Sequence, residues 1–270
     1  MTELLHWDPE LIQRYNRAGP RYTSYPTAVE FKVIDNDQIE KDLLSQRDPS
    51  IPVSLYLHIP FCAHVCYYCG CNKVVTKDRS KSEPYLALLK TEIDRKAALL
   101  KGNSLKNSDD KNPDAKKPMV EQMHWGGGTP TFLSDEQIVD LMNHLHERFQ
   151  FSTAASADYS IEIDPRELRP TTLRLLRELG FNRTSFGVQD LNAQVQQAVN
   201  RIQPESMIRD VMTEARDLGF RSINIDLIYG LPHQTHKTFS DTLDVIIDLS
   251  PDRLSIFNYA HLPERFKPQR

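Results

Sequence analysis

Six apolar runs of strand length recur between residues 53 and 260, and amphipathic stretches of helical spacing lie between them. The runs are VSLYLHI (53–59), VEQMHWG (120–126), YSIEID (159–164), RTSFGVQ (183–189), SINIDLIYG (222–230) and RLSIFNYA (253–260). The amphipathic stretches cover 83–100, 134–149, 170–179, 205–218 and 236–248, with a capping-box pattern at Ser134 and Gln137 and glycines at the helix stops Gly180 and Gly219. Strands that alternate with helices form parallel sheets with right-handed crossovers. The sequence therefore predicts an α/β fold of six βα units.

Polar residues at the strand ends help to choose between an open doubly wound sheet and a barrel-like one. In parallel α/β folds the reactive groups collect at the C-terminal ends of the strands. Residues of this kind at or near the predicted ends are His58, Gly126–Gly128, Glu162, Asp164, Gln189, Asp226, Asn258 and Tyr259. Strand ends that converge on one site favour a curved, barrel-like sheet.

The composition argues against several classes of protein. The chain has 33 lysines and arginines and 37 acidic residues, a net charge of −4. It contains no basic stripe interleaved with aromatics, the pattern that would indicate a nucleic-acid binder. The apolar runs are too short to span a membrane, and the N-terminus lacks the basic region and apolar core of a signal peptide. We therefore expect a cytoplasmic protein without membrane insertion. The polar, low-complexity segment 101–118 predicts a mobile surface loop.

All four cysteines lie within ten residues, in the segment Cys62-Ala-His-Val-Cys66-Tyr-Tyr-Cys69-Gly-Cys71. A disulfide framework would spread its cysteines along the chain, so metal binding is favoured over disulfides. A zinc site would need a fourth ligand from Cys71 or a nearby histidine, and a ferredoxin cluster uses four cysteines at another spacing. A cubane [4Fe–4S] cluster on the first three cysteines would leave one iron open, and CxxxCxxC is the spacing of radical S-adenosylmethionine (AdoMet) enzymes. Four reduced structural thiols are the remaining alternative.

A glycine run and two carboxylates add weaker signals. The run Gly126-Gly-Gly-Thr-Pro130 directly follows the second strand, where glycines let the backbone approach a ligand closely or simply make a tight turn. Asp226 and Glu162 lie inside apolar runs, and a buried carboxylate is costly without a partner. Each carboxylate is either part of a structural salt bridge or a ligand contact.

The chain resembles the bacterial oxygen-independent coproporphyrinogen III oxidases, radical AdoMet enzymes of heme synthesis, over almost its whole length. The segments that carry the resemblance are GPRYTSYPTA (19–28), SLYLHIPFCAHVCYYCGCNK (54–73), HWGGGTPTFL (124–133), SIEIDPRE (160–167), FNRTSFGVQD (181–190), VNR (199–201), NIDLIYGLP (224–232) and DRLSIFNYAHLP (252–263). The resemblance implies a radical-SAM partial TIM-type (β/α)6 barrel over 51–265, preceded by an N-terminal arm over 1–50. It also implies that a C-terminal helical lid domain of the family is absent from this chain.

The same resemblance implies roles for individual residues. Cys62, Cys66 and Cys69 would ligate the cluster, and Cys71 would be a non-ligand close to it. AdoMet on the cluster would contact Tyr56, Gly127 and Glu162. A second AdoMet molecule would contact Tyr68, Gly128, Thr129, Gln189, Arg201, Asp226 and Ala260. Arg21 and Tyr22 of the arm would help to hold the substrate.

The implied reaction is the oxidative decarboxylation of two propionate side chains of coproporphyrinogen III to vinyl groups, giving protoporphyrinogen IX. The electron donor and acceptor are not named by the sequence, and the family suggests a monomer. A heme-binding, chaperone-like radical SAM protein without oxidase turnover is the alternative.

Overall fold

The computed structural model describes residues 8–16, 50–101, 117–264 and 267–270, together with positions 27, 30–33, 35, 38, 42 and 48. The chain divides into two units, Met1–Ser45 and Gln46–Arg270. In the first unit, helix α1 (Pro9–Tyr15) begins at Asp8, whose carboxylate accepts a hydrogen bond from the Leu11 amide at 3.0 Å. Most of the predicted arm and nearly all of the predicted loop at 101–118 lie outside the described residues.

A parallel sheet forms the frame of the second unit. Its six main strands run in sequence order from one edge to the other and are β1 (Val53–Ile59), β4 (Met119–Gly127), β6 (Asp158–Ile163), β7 (Arg183–Gln189), β8 (Ser222–Tyr229) and β9 (Arg253–Asn258). Two short strands, β2 (Phe61–Cys62) and β3 (Val74–Val75), pair separately, and β5 (Gln150–Phe151) pairs with β4. The predicted α/β class is confirmed, and each predicted strand ends within two residues of its observed bounds.

Helices connect these strands, and all of them but Ala193–Ala198 lie where the sequence predicts them. They are α2 (Ser82–Leu100), α3 (Asp135–Arg148), α4 (Thr172–Glu178), α5 (Ala193–Ala198), α6 (Glu205–Asp217) and α7 (His236–Leu249). The predicted capping box at the start of α3 is present, because the Ser134 hydroxyl accepts from the Gln137 amide at 3.2 Å. Gly180 and Gly219 have φ of +97° and +76°, left-handed conformations that end α4 and α6.

The two faces of the sheet differ in chemistry. Alternate residues such as Leu57, Trp125 and Ile161 are buried among the helices and form the core. The opposite face is polar, and Ser54 of β1 lines the same cavity of about 450 Å³ as Ser255 of β9. Because strands from both edges of the sheet face one cavity, the sheet curves around it. This curvature agrees with the predicted partial barrel.

Candidate functional site

The cysteine segment is a loop held at the C-terminal end of β1. Its two ends are tied together, since the Val74 amide donates to the Pro60 carbonyl at 2.7 Å and the Thr76 amide to the Cys62 carbonyl at 2.9 Å. All four cysteines are free thiols. Cys66 is buried, whereas Cys71 is exposed. The fold therefore brings the thiols to one end of the sheet without joining any of them in a disulfide.

Two arginines surround the sulfur of Cys66. Arg166 Nη2 lies 3.3 Å and Arg201 Nη1 lies 3.5 Å from Cys66 Sγ, and both donate to it. The same two groups meet at Asp164 Oδ2, at 2.6 Å and 3.1 Å. Although burial alone would raise the pKa of Asp164, the guanidinium groups outweigh it and hold that pKa below its usual range. Asp164 therefore stays ionised and keeps both cations against the cysteine loop.

The other cysteines have different surroundings. Burial raises the pKa of Cys62, and the hydrogen bond from Thr129 Oγ1 at 3.6 Å offsets this only in part. The Cys71 thiol donates to the sulfur of Cys69 and lowers the pKa of Cys69 to about 5. Lys73 Nζ, which donates to the Cys69 carbonyl at 2.7 Å, adds a positive charge on this side. The Cys69 sulfur is thus favoured as a thiolate, the form that ligates metals.

The buried carboxylate of Glu167 ties the cysteine loop to the rest of the fold. Glu167 lies just after β6, and its side chain is only 6% exposed. Its Oε1 is 3.2 Å from His64 Nδ1 inside the cysteine loop, and its Oε2 accepts from Arg79 Nη2 at 2.7 Å. Arg79 also donates to the Phe132 carbonyl. Glu167 therefore links the loop to the turn that precedes α2.

The glycine run at the end of β4 packs against the chain itself. A Cβ on Gly128 would come within 2.7 Å of backbone atoms of Pro60 and Phe61, because the Gly128 amide donates to the Ile59 carbonyl at 2.8 Å. Gly127 has φ of +117°, and its amide donates to Glu162 Oε2 at 3.2 Å. Glycine is thus required at 128 by the chain's own backbone, and at 127 by its backbone conformation.

Glu162 belongs to a network of polar side chains on the concave face. Its Oε1 is 3.2 Å from His124 Nε2, and the His124 ring stacks on Tyr56 with 5.8 Å between the ring centroids. The Tyr56 hydroxyl lies 3.1 Å from His58 Nδ1, and His58 Nε2 lies 3.0 Å from the Asn72 carbonyl. The network connects Glu162 to the cysteine loop through two histidines and a tyrosine.

Asp226 of β8 and Gln189 of β7 also line the site. Asp226 accepts from Ser185 Oγ at 3.0 Å and from Asn224 Nδ2 at 2.8 Å, both neutral donors, and burial raises its pKa. In the described part of the chain no basic residue pairs with it, so a structural salt bridge does not account for this carboxylate. Gln189 has φ of +70° at an irregularity in the pairing of β7 with β8, a strained conformation of the kind that clusters at functional sites.

One cavity of about 260 Å³ collects most of the predicted residues. Those that line it are Cys62, Cys66, Cys69, Tyr68, Gly127, Gly128, Thr129, Glu162, Gln189, Arg201 and Asp226. Tyr56, which is 61% exposed, and Ala260, which follows β9, are not among the described residues that line it. Arg21 and Tyr22 lie outside the described residues.

Sequence reasoning missed Arg166 and Glu167 as functional candidates, and it considered His64 only as a possible fourth ligand of a zinc site. The segment Asp164-Pro-Arg-Glu167 directly follows a strand end, and that position could have marked them. A charged residue in a turn, however, is more often a solvated one.

The donor set fits an iron–sulfur cluster better than a single zinc ion. Zinc holds thiolates at about 2.3 Å, which needs its ligands packed around one point. Among the residues that the structure describes, no three His, Cys, Asp or Glu side chains converge in that way. All four cysteine thiols instead line one cavity, and cationic groups lie beside them, as suits a larger anionic group.

Comparisons with known proteins agree with this chemistry. Residues 56–246 match the family model of the radical SAM superfamily. The chain is 53% identical, over its whole length, to 56% of the oxygen-independent coproporphyrinogen III oxidase of Pseudomonas aeruginosa, and 50% identical to 55% of the Escherichia coli protein of the same name. A solved structure, described as coproporphyrinogen III oxidase from Escherichia coli and as a radical SAM enzyme, matches with a TM-score of 0.83 and 48% identity. That match covers 98% of this chain and 55% of the solved one, so the chain spans about half the length of the relatives that it matches.

Proposed function

Because the chain belongs to the radical SAM superfamily, we propose that it holds a [4Fe–4S] cluster on Cys62, Cys66 and Cys69 and uses AdoMet to decarboxylate coproporphyrinogen III oxidatively. One observation carries this proposal: a single cavity is lined by the three cysteines and by most of the residues expected to contact AdoMet. When bound, the cluster and AdoMet supply an electron and a carbon-centred radical that removes a hydrogen atom from the substrate.

The chain's own residues prepare this cavity for a charged, amphipathic ligand. Glu162, which accepts a hydrogen bond from the Gly127 amide, offers a carboxylate to the ammonium group of AdoMet. Tyr56 is linked to Glu162 by His124, whose ring stacks on Tyr56 and whose Nε2 lies 3.2 Å from Glu162 Oε1. A carboxylate at this position is the group that recognises a cation by charge-assisted hydrogen bonds. We therefore assign Glu162, Gly127 and Tyr56 to the AdoMet molecule that binds the cluster.

The same cavity supports the proposal of a second AdoMet molecule. Its lining includes five further residues that are expected to contact that molecule, namely Gln189, Asp226, Gly128, Thr129 and Tyr68. Strain at Gln189 and the burial of Asp226 are costs that ligand contacts would offset.

Arg201 and Ala260 complete the proposed set of second-AdoMet residues. The guanidinium of Arg201 already donates to the Gly187 carbonyl, to Asp164 and to Cys66. We therefore assign it the task of fixing the wall of the cavity. Ala260 follows the C-terminal end of β9, which pairs in parallel with β8.

The substrate is proposed from the resemblance and from the relatives. In each of two rounds a propionate loses a β-hydrogen and carbon dioxide, one further electron passes to an acceptor, and a vinyl group remains. Arg21 and Tyr22 are proposed substrate contacts, and the part of the relatives that extends beyond this chain is expected to contribute to the substrate cleft. We place the reaction in the cytoplasm, where thiols stay reduced.

An anaerobic turnover assay tests this function. The protein is reconstituted with iron and sulfide and incubated with AdoMet, a reductant and coproporphyrinogen III, with Cys66→Ser as the control. The proposal predicts 5′-deoxyadenosine, carbon dioxide and vinyl products that the control does not form. A cluster-loaded protein of the same length as its relatives that cleaves AdoMet but never releases carbon dioxide would refute the substrate, and stoichiometric heme uptake without turnover would favour the heme-binding alternative.

A further inference from the structure

Arg166 lies against the cysteine loop with every nitrogen of its guanidinium engaged. Its Nη2 donates to Cys66 Sγ at 3.3 Å and to Asp164 Oδ2 at 2.6 Å, and its Nε donates to Asp164 Oδ1 at 3.0 Å. Its Nη1 donates to the Asn200 carbonyl at 3.3 Å. The side chain is only 12% exposed, so the group is held in one orientation by four contacts.

We propose that Arg166 is a positioning residue that fixes Cys66 as a cluster ligand and raises the reduction potential of the cluster. The inference rests on the proposed function, because it takes Cys66 to be a ligand of a [4Fe–4S] cluster. In this inference Arg166 makes reduction of the cluster more favourable, and it does so without contacting AdoMet or the substrate.

Electrostatics gives the direction of this effect. Hydrogen bonds to the ligand sulfurs and the burial of a cluster set its reduction potential. Reduction adds negative charge, and a nearby cation stabilises the reduced form more than the oxidised one. Arg166 and Arg201 contribute two positive charges and Asp164 one negative charge, which leaves a net charge of +1 beside the sulfur of Cys66.

The three ligand sulfurs are not equivalent in this respect. Cys62 receives a hydrogen bond from the neutral hydroxyl of Thr129, and Cys69 receives one from the thiol of Cys71 and one from the ammonium group of Lys73. Cys66 receives two donors from guanidinium groups, besides the neutral hydroxyl of Tyr68. Charge-assisted hydrogen bonds are about twice as strong as neutral ones, and Cys66 has two cationic donors where Cys69 has one and Cys62 has none, so the largest cationic influence reaches the cluster through Cys66.

An EPR-monitored redox titration of the reconstituted cluster tests the inference. The variants are Arg166→Gln and Arg166→Lys, with Arg169→Gln as the matched control. Arg169 is three positions away and donates to Asp135 and to the carbonyls of Thr131 and Leu133.

Arg166→Gln should lower the reduced-to-oxidised ratio at a fixed potential by about tenfold, which is about 59 mV for a one-electron couple. Arg166→Lys should shift the ratio in the same direction by less, because a lysine that pairs with Asp164 lacks the fork that also reaches Cys66. The Arg169→Gln ratio should match that of the unsubstituted protein.

The outcomes separate this inference from the proposed function. If the unsubstituted protein takes up no iron and sulfide, both are refuted. If clusters form normally and both Arg166 variants keep the original potential, this inference alone is overturned. If Arg166→Gln does not fold, the lysine variant decides, and an unchanged potential there overturns the inference as well.

Discussion

Replacing Asp164 by asparagine removes the anion on which two buried arginines depend. Arg166 and Arg201 are 12% and 7% exposed, and both donate to the same carboxylate oxygen. The substitution leaves two guanidinium groups close together with no charge to balance them. Removing one partner of a buried ion pair costs about 3–5 kcal/mol. A domain with a free energy of unfolding of about 5–15 kcal/mol would lose a large part of its stability.

The pH dependence gives a second signature of the same carboxylate. The arginines hold the pKa of Asp164 below its usual range in the folded protein despite its burial. Its contribution to stability is therefore present above the unfolded pKa, which is near the ordinary aspartate value of 3.8, and is lost as the pH falls through the folded pKa. The stability gap between the unsubstituted protein and Asp164→Asn should be widest at neutral pH and close in acid.

Equilibrium urea unfolding of the cluster-free protein, followed by far-UV circular dichroism, measures this gap. Asp158→Asn is the control, because Asp158 pairs with one arginine, Arg183, in a more exposed place. We expect a loss of about 3 kcal/mol for Asp164→Asn and about 1 kcal/mol for the control. Equal losses in the two variants, or a gap that does not change with pH, would refute the reasoning.

Three further substitutions have expected outcomes. Gly128→Ala places a Cβ 2.7 Å from backbone atoms and should lower the melting temperature through a strain of about 1–3 kcal/mol. Gly70→Ala, which has open space around the added Cβ, should leave it unchanged, and similar melting temperatures for the two variants would contradict this. Asp226→Asn should raise the melting temperature at neutral pH, because burial raises the folded pKa of Asp226 and stability is lost as the pH rises through that pKa. The melting temperatures of the variant and the unsubstituted protein should converge below the unfolded pKa, and no gain at neutral pH would contradict the raised pKa of Asp226. Glu167→Gln should weaken the anchoring of the cysteine loop by about 1–2 kcal/mol, measured as faster amide hydrogen exchange in that loop; unchanged protection would show that the anchor has no such effect.

Five of the six main strands were predictable because they are buried on the helix side and carry strong apolar runs, whereas β9 has no buried residue and was predicted from its apolar run alone. Positions such as Ile161 and Phe186 are fully buried, and their spacing marks each strand in the sequence. The six-residue helix Ala193–Ala198 was missed, since it is too short to show a helical period. The short strands at Phe61–Cys62 and Val74–Val75 depend on the folding of the cysteine loop and carry no pattern of their own.

The contacts that define the site depend on pairs far apart in the sequence. Arg166 meets Cys66 across 100 positions, and Arg201 meets it across 135. A single sequence does not show which distant residues meet, so the spacing of the cysteines identified the loop but not its cationic surroundings. The need for glycine at 128 was likewise hidden, because its close neighbours are the backbone atoms of Pro60 and Phe61.

Metal and sulfide analysis of the anaerobically reconstituted protein, with EPR before and after AdoMet is added, tests the central claim most directly. The account predicts about four iron and four sulfide per chain, as in a [4Fe–4S] cluster. It also predicts that AdoMet changes the EPR signal, and that Cys62→Ser, Cys66→Ser or Cys69→Ser abolishes the cluster while Cys71→Ser keeps it. Stoichiometric zinc without sulfide, or a cluster that survives the loss of any of the three proposed ligands, would contradict the account.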